Sequence, residues 1–236
     1  MLPLRDENPT YARTWMTVAL IAANVIVSIW QWLLPQEASA ILLHQAALVP
    51  ARLGGGSESP GLPPALTLVT SQFLHGGPLH LAGNMLFLWI FGNNVEDALG
   101  SLRFLAFYLL CGIMAGMVHT FTQPGSTIPT VGASGAVSGI LGAYALLFPR
   151  ARIHTLVLLL FYISVVRVPA ILWVGIWLLI QVLQGIGARG ATGGVAWFAH
   201  VGGLVGGLIL LPLMRPRRVD RRIGPFDSSW STRATR

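Results

Sequence analysis

Six long apolar runs dominate the sequence and restrict what the chain can fold into. An α-helix rises about 1.5 Å per residue, so about 20 consecutive apolar residues cross the hydrocarbon core of a bilayer. Only 10% of the residues are charged, whereas an ordinary globular protein carries about a quarter. We therefore predict an all-α, polytopic membrane protein with six transmembrane helices. The predicted spans are residues 15–34, 79–96, 103–121, 134–148, 168–187 and 197–213.

One further apolar stretch, residues 155–166, is too short to cross the membrane. Its twelve residues have the length of an interfacial or re-entrant segment, and it is bracketed by Arg150, Arg152 and Arg167. We therefore expect the segment to enter the membrane surface and to return to the same side.

The arginines predict how the chain is oriented. All fifteen basic residues are arginine, and five of them follow the last span closely. The positive-inside rule places the arginine-rich side in the cytoplasm, and six spans put both termini there. Because arginines that flank spans set topology, they do not indicate a nucleic-acid partner. The chain is expected to have three parts: a cytoplasmic segment at 1–14, a cell-membrane domain at 15–213 and an arginine-rich cytoplasmic tail at 214–236. The membrane domain contains an external loop at 35–78 and a cytoplasmic interfacial segment at 149–167.

Polar residues near the spans concentrate in one layer of the membrane. Each of them needs a partner or a function, because polar groups inside a bilayer are costly. The spans that begin at 79, 134 and 197 run inward from the outer face, which places His80, Ser134 and His200 in the first turns of their helices. Asn84 lies one turn deeper than His80, on the same helical face. A hydroxyl, two imidazoles and an amide are therefore expected to converge in the outer half of the membrane.

Ser134 has two interpretations. It lies in Gly132-Ala133-Ser134-Gly135, at a junction between a loop and a helix, where small neighbours leave its hydroxyl accessible. As a nucleophile, it would use the free N–H groups of the helix N-terminus to stabilise an oxyanion. As a structural residue, it would be an N-cap serine. The motif alone leaves both interpretations open.

His200 also has two interpretations. Glycines at four-residue spacing let transmembrane helices approach closely, and they occur both after His200 and in the helix that begins at Ser134. Such packing brings the histidine within hydrogen-bond reach of the serine. The alternative is a histidine that bonds a loop carbonyl. The glycine pairs are Gly202/Gly206, Gly203/Gly207 and Gly135/Gly139.

His80 and Asn84 form a His-x-x-x-Asn motif that projects from one helical face. Both side chains can donate to a carbonyl oxygen that becomes negative during attack, although histidine and asparagine also join helices structurally. His75 lies nearby and is expected to order the loop or hold water. No Asp or Glu falls at the depth of Ser134, so a serine hydrolase here would use a dyad.

Three motifs taken together resemble the bacterial rhomboid proteases. They are His80-Leu81-Ala82-Gly83-Asn84, Gly132-Ala133-Ser134-Gly135 and Ala199-His200-Val201-Gly202-Gly203, in this order and on alternate helices. The resemblance covers about residues 13–213. It implies that Ser134 is the nucleophile, that His200 is the base, and that His80, Asn84 and the Ser134 N–H form the oxyanion hole. The supporting positions are His75, Gly132, Gly135, Gly202 and Gly206.

The resemblance also implies the substrate class, and this chain departs from the family pattern near the base. Transmembrane proteins in the lipid bilayer would be cut in or next to their spanning helices, with neither metal nor cofactor. Ser138 stands where some relatives carry an aromatic residue that packs on the base, so we expect backbone contacts and Gly142 packing to brace His200 instead.

Two other functions are alternatives to proteolysis. Relatives that bind membrane proteins without cutting them usually lack the serine or the histidine, and both are present here. A small transporter would need polar groups along a path through both leaflets, whereas these cluster in the outer half. The sequence therefore predicts an intramembrane serine endopeptidase and leaves its substrate and oligomeric state open.

Overall fold

The computed structural model describes residues 1–55, 61–159, 162–187 and 196–214, and these residues form a mainly helical bundle. The helices are α1 (Trp15–Leu33), α2 (Gln36–Ala46), α3 (Pro50–Leu53), α4 (Pro64–Thr70), α5 (Pro78–Phe87), α6 (Asn93–Leu99), α7 (Ser101–Thr122), α8 (Ser134–Leu147), α9 (Ala170–Gly187) and α10 (Trp197–Met214). A π-helical turn, Leu88–Gly92, joins α5 and α6 into one passage, and a 3₁₀ turn, Ser71–Phe73, follows α4.

The helical membrane fold predicted from the apolar runs is confirmed. Among the described residues, α1, α7, α9 and α10 are each long and apolar enough to cross a membrane, and α8 is a shorter apolar helix. The α5–α6 passage occupies the position of the second predicted span. Every predicted span agrees with a helical stretch to within about three residues at each end.

Helix α8 forms the centre of the bundle. Its residues from Gly135 to Ala145 are all buried, mainly against α7 and α10. A Cβ added to Gly203 would lie 2.0 Å from the carbonyl oxygen of Gly135, and one added to Gly207 would lie 2.0 Å from that of Gly139. The backbones of α8 and α10 are thus in direct contact, which only glycine permits.

The second glycine pair of α10 faces a different neighbour. A Cβ on Gly202 would meet Val118 at 2.6 Å, and one on Gly206 would meet the Met114 sulfur at 3.1 Å. Gly202 and Gly206 therefore pack α10 against α7, whereas Gly203 and Gly207 pack it against the helix that carries the serine.

A three-stranded antiparallel sheet was not predicted. Its strands are β1 (Leu2–Asp6), β2 (Arg152–Leu159) and β3 (Tyr162–Pro169), in the order β1-β2-β3. The described residues of the apolar stretch 155–166, predicted to be an interfacial or re-entrant segment, lie in β2 and β3, and β2 also pairs with the N-terminal β1. The β-branched residues of β3 favour a strand, and pairing satisfies backbone groups that a lone extended segment near lipid would leave without partners.

Acidic side chains bind the N-terminal segment to the end of α8 opposite Ser134. The Glu96 carboxylate accepts from the backbone N–H groups of Met16 and Thr17 at 2.9 and 2.7 Å, which caps the start of α1. Asp6 accepts from the Tyr144 hydroxyl at 2.6 Å. Burial raises the pKa of Asp6 above its usual value, although the hydrogen bond from Tyr144 opposes that rise.

Candidate active site

The predicted serine and histidine are in contact. Ser134 is the first residue of α8, His200 lies in the first turn of α10, and 2.8 Å separates the Ser134 Oγ from the His200 Nε2. The N-cap interpretation of Ser134 is wrong, because Ala133 holds that position and no side chain caps the helix. The loop-carbonyl interpretation of His200 is also wrong, because both of its ring nitrogens bond to side chains.

His200 is braced by α9, which differs from the expectation. The Gln181 Oε1 lies 2.5 Å from the His200 Nδ1, and the Trp177 ring lies 5.9 Å from the imidazole, tilted by 35°. Gly142, expected to brace the histidine, packs instead on the backbone of Leu204, whose carbonyl oxygen would lie 2.6 Å from an added Cβ. The aromatic contact that Ser138 does not provide therefore comes from a different helix.

His80 and Asn84 border the loop that leads into Ser134. Gly132 has a φ of +125°, and a Cβ there would lie 2.7 Å from the His80 Cε1 and 3.6 Å from the Asn84 Nδ2. The Gly132 N–H donates to the carbonyl of Ser71 at 2.9 Å, which holds the loop in place. The structure thus places His80 and Asn84 beside the loop that leads into Ser134, and all three residues line one cavity.

His75 is a buried junction between the loop and α1. It is 0% exposed, and its Nε2 lies 3.0 Å from the Asn84 Nδ2. An amide N–H only donates, so the Nε2 accepts and the His75 proton lies on Nδ1, facing the Ser28 Oγ at 2.9 Å. Gln31 bonds both backbone groups of His75. His75 therefore orients Asn84 and leaves its second amide hydrogen free to donate elsewhere.

A cavity of about 930 Å³ connects these groups. Ser134, His200, His80 and Asn84 all line it, together with the irregular segment that precedes α8. His119 also lines the cavity, and its Nε2 bonds the Thr130 Oγ1 at 3.1 Å. The lining combines polar groups with the aromatic side chains of Phe87, Trp177 and Trp197.

Two sets of polar residues that shape this site were missed in the sequence. Gln181 interrupts an apolar helix, and the cost of a buried amide in a membrane could have identified it. Asn24, Ser28 and Gln31 form a buried stripe on α1, and their spacing of four and three residues places them on one helical face. Both signals were present, but neither indicated which neighbour each side chain would meet.

Comparison with known proteins identifies one matching family and several relatives. The family model described as "Rhomboid domain" matches residues 64–217. Rhomboid protein 1, mitochondrial, from Saccharomyces cerevisiae is 34% identical over 149 residues, which cover 61% of this chain. Rhomboid protease GluP from Bacillus subtilis is 35% identical over 141 residues, or 59% of this chain. Presenilin-associated rhomboid-like protein A, mitochondrial, from Danio rerio is 35% identical over 95 residues, or 39% of this chain.

These relatives are considerably longer than the matched region. The match covers 40% of the yeast protein, 24% of the Bacillus protein and 25% of the zebrafish protein. The similarity therefore concerns a membrane domain that the three proteins share with this chain.

Proposed function

The chain belongs to the rhomboid family, and on that premise we propose that it is an intramembrane serine endopeptidase that acts through Ser134 and His200. A relative named as a protease supports proteolysis at the level of the family. The observation that carries the assignment to these two residues is the 2.8 Å contact between the hydroxyl and the imidazole at the edge of the cavity.

The proposed reaction is acyl transfer. The Ser134 Oγ attacks the scissile carbonyl carbon while the His200 Nε2 accepts the hydroxyl proton. The carbonyl oxygen becomes an oxyanion, to which the Ser134 backbone N–H, the His80 ring and the free hydrogen of Asn84 donate. His200 then protonates the leaving amine, and the acyl-enzyme forms. Water then enters the cavity and attacks the ester carbonyl while giving a proton to His200, and His200 returns that proton to the Ser134 Oγ as the acid product leaves.

Helix α8 supports this chemistry in two ways. Its first N–H groups have no partner within the helix, and its dipole favours negative charge at Ser134. The hydrogen bond of the neighbouring Ser138 goes to the Ser134 carbonyl at 2.6 Å, so it leaves the nucleophile's own hydroxyl free for His200.

The proposed substrates are transmembrane proteins cut in or near their spanning segments. The proposed setting is a cell membrane with both termini in the cytoplasm and the cavity open to the extracytoplasmic side. The arginine distribution supports this orientation, because the long apolar helices leave few other charges to set it.

Cleavage of a transmembrane reporter by the purified protein in liposomes tests the proposal. Ser134→Ala and His200→Ala should each abolish cleavage and labelling by a serine-reactive phosphonate without lowering the thermal midpoint by more than a few degrees. Ser164→Ala and His44→Ala, which lie away from the cavity, are the matched controls and should retain both activities. Cleavage that persists in Ser134→Ala would refute the assignment, and binding of the reporter without cleavage by the wild type would indicate a non-proteolytic module.

A further inference from the structure

Gln181 is the side chain that holds the imidazole of His200 from the side opposite the serine. It is 7% exposed, although it lies in a helix whose other residues are mostly apolar. Its Oε1 faces the His200 Nδ1, and its neighbour Trp177 packs one turn away on the same ring. A buried amide inside an apolar helix is costly unless it is hydrogen-bonded, and polar residues in such helices commonly have a function.

The direction of this hydrogen bond determines the tautomer of His200. A carbonyl oxygen only accepts, so the hydrogen between Gln181 and the ring must be on Nδ1. The Nε2 then carries a lone pair, and that lone pair faces the Ser134 Oγ at 2.8 Å. The opposite tautomer would donate to the serine oxygen and could not accept its proton. Only the tautomer that Gln181 selects can act as a general base.

We propose that Gln181 is a positioning residue that fixes the tautomer and ring orientation of His200. The three side chains then form an uncharged, hydrogen-bonded Ser134–His200–Gln181 triad. The assignment of His200 as the base rests on the proposed function, whereas the tautomer is a property of the folded chain. In soluble serine proteases a carboxylate orients the histidine. Here an amide does so without the cost of a buried negative charge.

The surroundings of His200 are consistent with an uncharged triad. Among the described residues that line the cavity there is no Asp, Glu or Arg, and the other titratable rings are His80 on α5 and His119 on α7. Trp197 meets the imidazole edge-on at a centroid distance of 6.1 Å, which together with Trp177 restricts rotation of the ring. In this part of the chain Gln181 is thus the acceptor available to Nδ1.

Three variants of the full-length protein separate positioning from simple packing. Gln181→Met keeps the length of the side chain but removes the acceptor. It should lower kcat about 10- to 100-fold and keep KM within about twofold, because part of the His200 population then has the wrong tautomer.

Gln181→Glu keeps the acceptor and should restore kcat to within about fivefold of the wild type. The acidic side of its kcat–pH profile should move to higher pH, because a carboxylate holds a proton on the imidazole more tightly. Gln184→Met, on the exposed face of α9, is the matched control and should change neither constant.

Nitrogen NMR of the ring gives a readout that does not depend on cleavage. With His200→Ala used to assign the signals, the wild type should show a protonated Nδ1 and a bare Nε2, and Gln181→Met should show a mixture of tautomers. An unprotonated Nδ1 in the wild type would overturn the proposal, as would a Gln181→Met protein that keeps the wild-type tautomer, whatever its kcat.

If Gln181→Met does not fold, the shift in the kcat–pH profile of Gln181→Glu tests the proposal instead, and the absence of that shift would overturn it. Should the wild type fail to cleave any reporter, the proposed function fails while the tautomer still tests Gln181.

Discussion

The two ends of α8 use polar residues in different ways. At its N-terminus, Ser134, His200, Asn84 and Gln181 are neutral side chains around a cavity. At its C-terminus, carboxylates bind the N-terminal segment through hydrogen bonds, with Tyr144 donating to Asp6 at 2.6 Å. The polar groups at the first end line a cavity, whereas those at the second end form hydrogen bonds that hold segments of the fold together.

Stability and activity are therefore expected to depend on opposite ends of this helix. Acidic groups at the C-terminal end satisfy backbone donors that would otherwise lack partners, as Glu96 does for α1. Neutral groups at the N-terminal end avoid the cost of a buried charge and, in the proposed mechanism, leave donors free for an oxyanion. We therefore expect substitutions at the first end to affect kcat, substitutions at the second to affect stability, and substitutions in the packed middle to affect both.

The largest effect is expected where α8 and α10 touch. Gly203→Ala places a methyl group 2.0 Å from the backbone oxygen of Gly135, so the helices must separate and His200 must move with them. Overpacking of this kind costs about 3 kcal/mol or more, and a shift of about 1 Å at the dyad costs about 100-fold in activity. Thermal unfolding and reporter cleavage measure the two losses. Gly175→Ala, which would meet nothing within 4 Å, is the matched control, and equal behaviour of the two variants would contradict the packing argument.

A smaller and more selective effect is expected at Gly132. Its φ of +125° suits glycine, and a methyl group would lie 2.7 Å from the His80 ring, so Gly132→Ala should displace the proposed oxyanion donor His80. We expect kcat to fall about 100-fold while the free energy of unfolding falls by only about 1–3 kcal/mol, the cost of the strained backbone. Gly125→Ala, in the same loop with nothing within 4 Å, should change neither value. A loss confined to KM would argue against an oxyanion role.

The opposite end of α8 should show the reverse pattern. Tyr144→Phe removes the hydrogen bond to Asp6 and should lower the free energy of unfolding by about 1–2 kcal/mol. Because Tyr144 lies three turns from Ser134, kcat should stay within about threefold of the wild type. Tyr11→Phe, at a side chain that is 74% exposed, is the control for loss of a hydroxyl. A large kcat effect without a stability effect would show that the two ends are not separable.

The sequence predicted the spans and the dyad for the same physical reason. Uncharged runs of about 20 residues have few folds open to them in lipid, and three runs that start from one face bring Ser134, His200 and His80 to one depth. The contact of 2.8 Å between Ser134 and His200 agrees with that inference. Depth is a property of position along one helix, so it can be deduced without knowing how the helices are rotated.

The features that were missed depend on contacts between distant segments. Gln181 reaches His200 only because α9 presents that face to α10, and the sequence does not reveal the rotation of a nearly uniformly apolar helix. The β-hairpin is stabilised by its pairing with β1, whose residues lie about 150 positions earlier in the chain. A short apolar run carries no signal for a partner so far away, and its length alone indicated an interfacial segment.

The smallest effect is expected from Glu7, at the exposed margin of the C-terminal end of α8. Its carboxylate accepts from the His154 Nε2 at 2.8 Å, and this hydrogen bond, with the nearby Arg167, lowers the pKa of Glu7 below its usual 4.5. A lowered carboxyl pKa stabilises the fold above the usual value, and that stabilisation is lost as the pH falls through the lowered pKa. The thermal midpoint of the wild type should therefore exceed that of Glu7→Gln by a small, constant amount above about pH 5 and converge with it in more acidic buffer.

The control is the same change in a His154→Asn background. There Glu7→Gln should lower the thermal midpoint less, because the main hydrogen-bond partner of Glu7 is already gone. A difference that widened toward low pH would mean that the contact between Glu7 and His154 does not stabilise this margin.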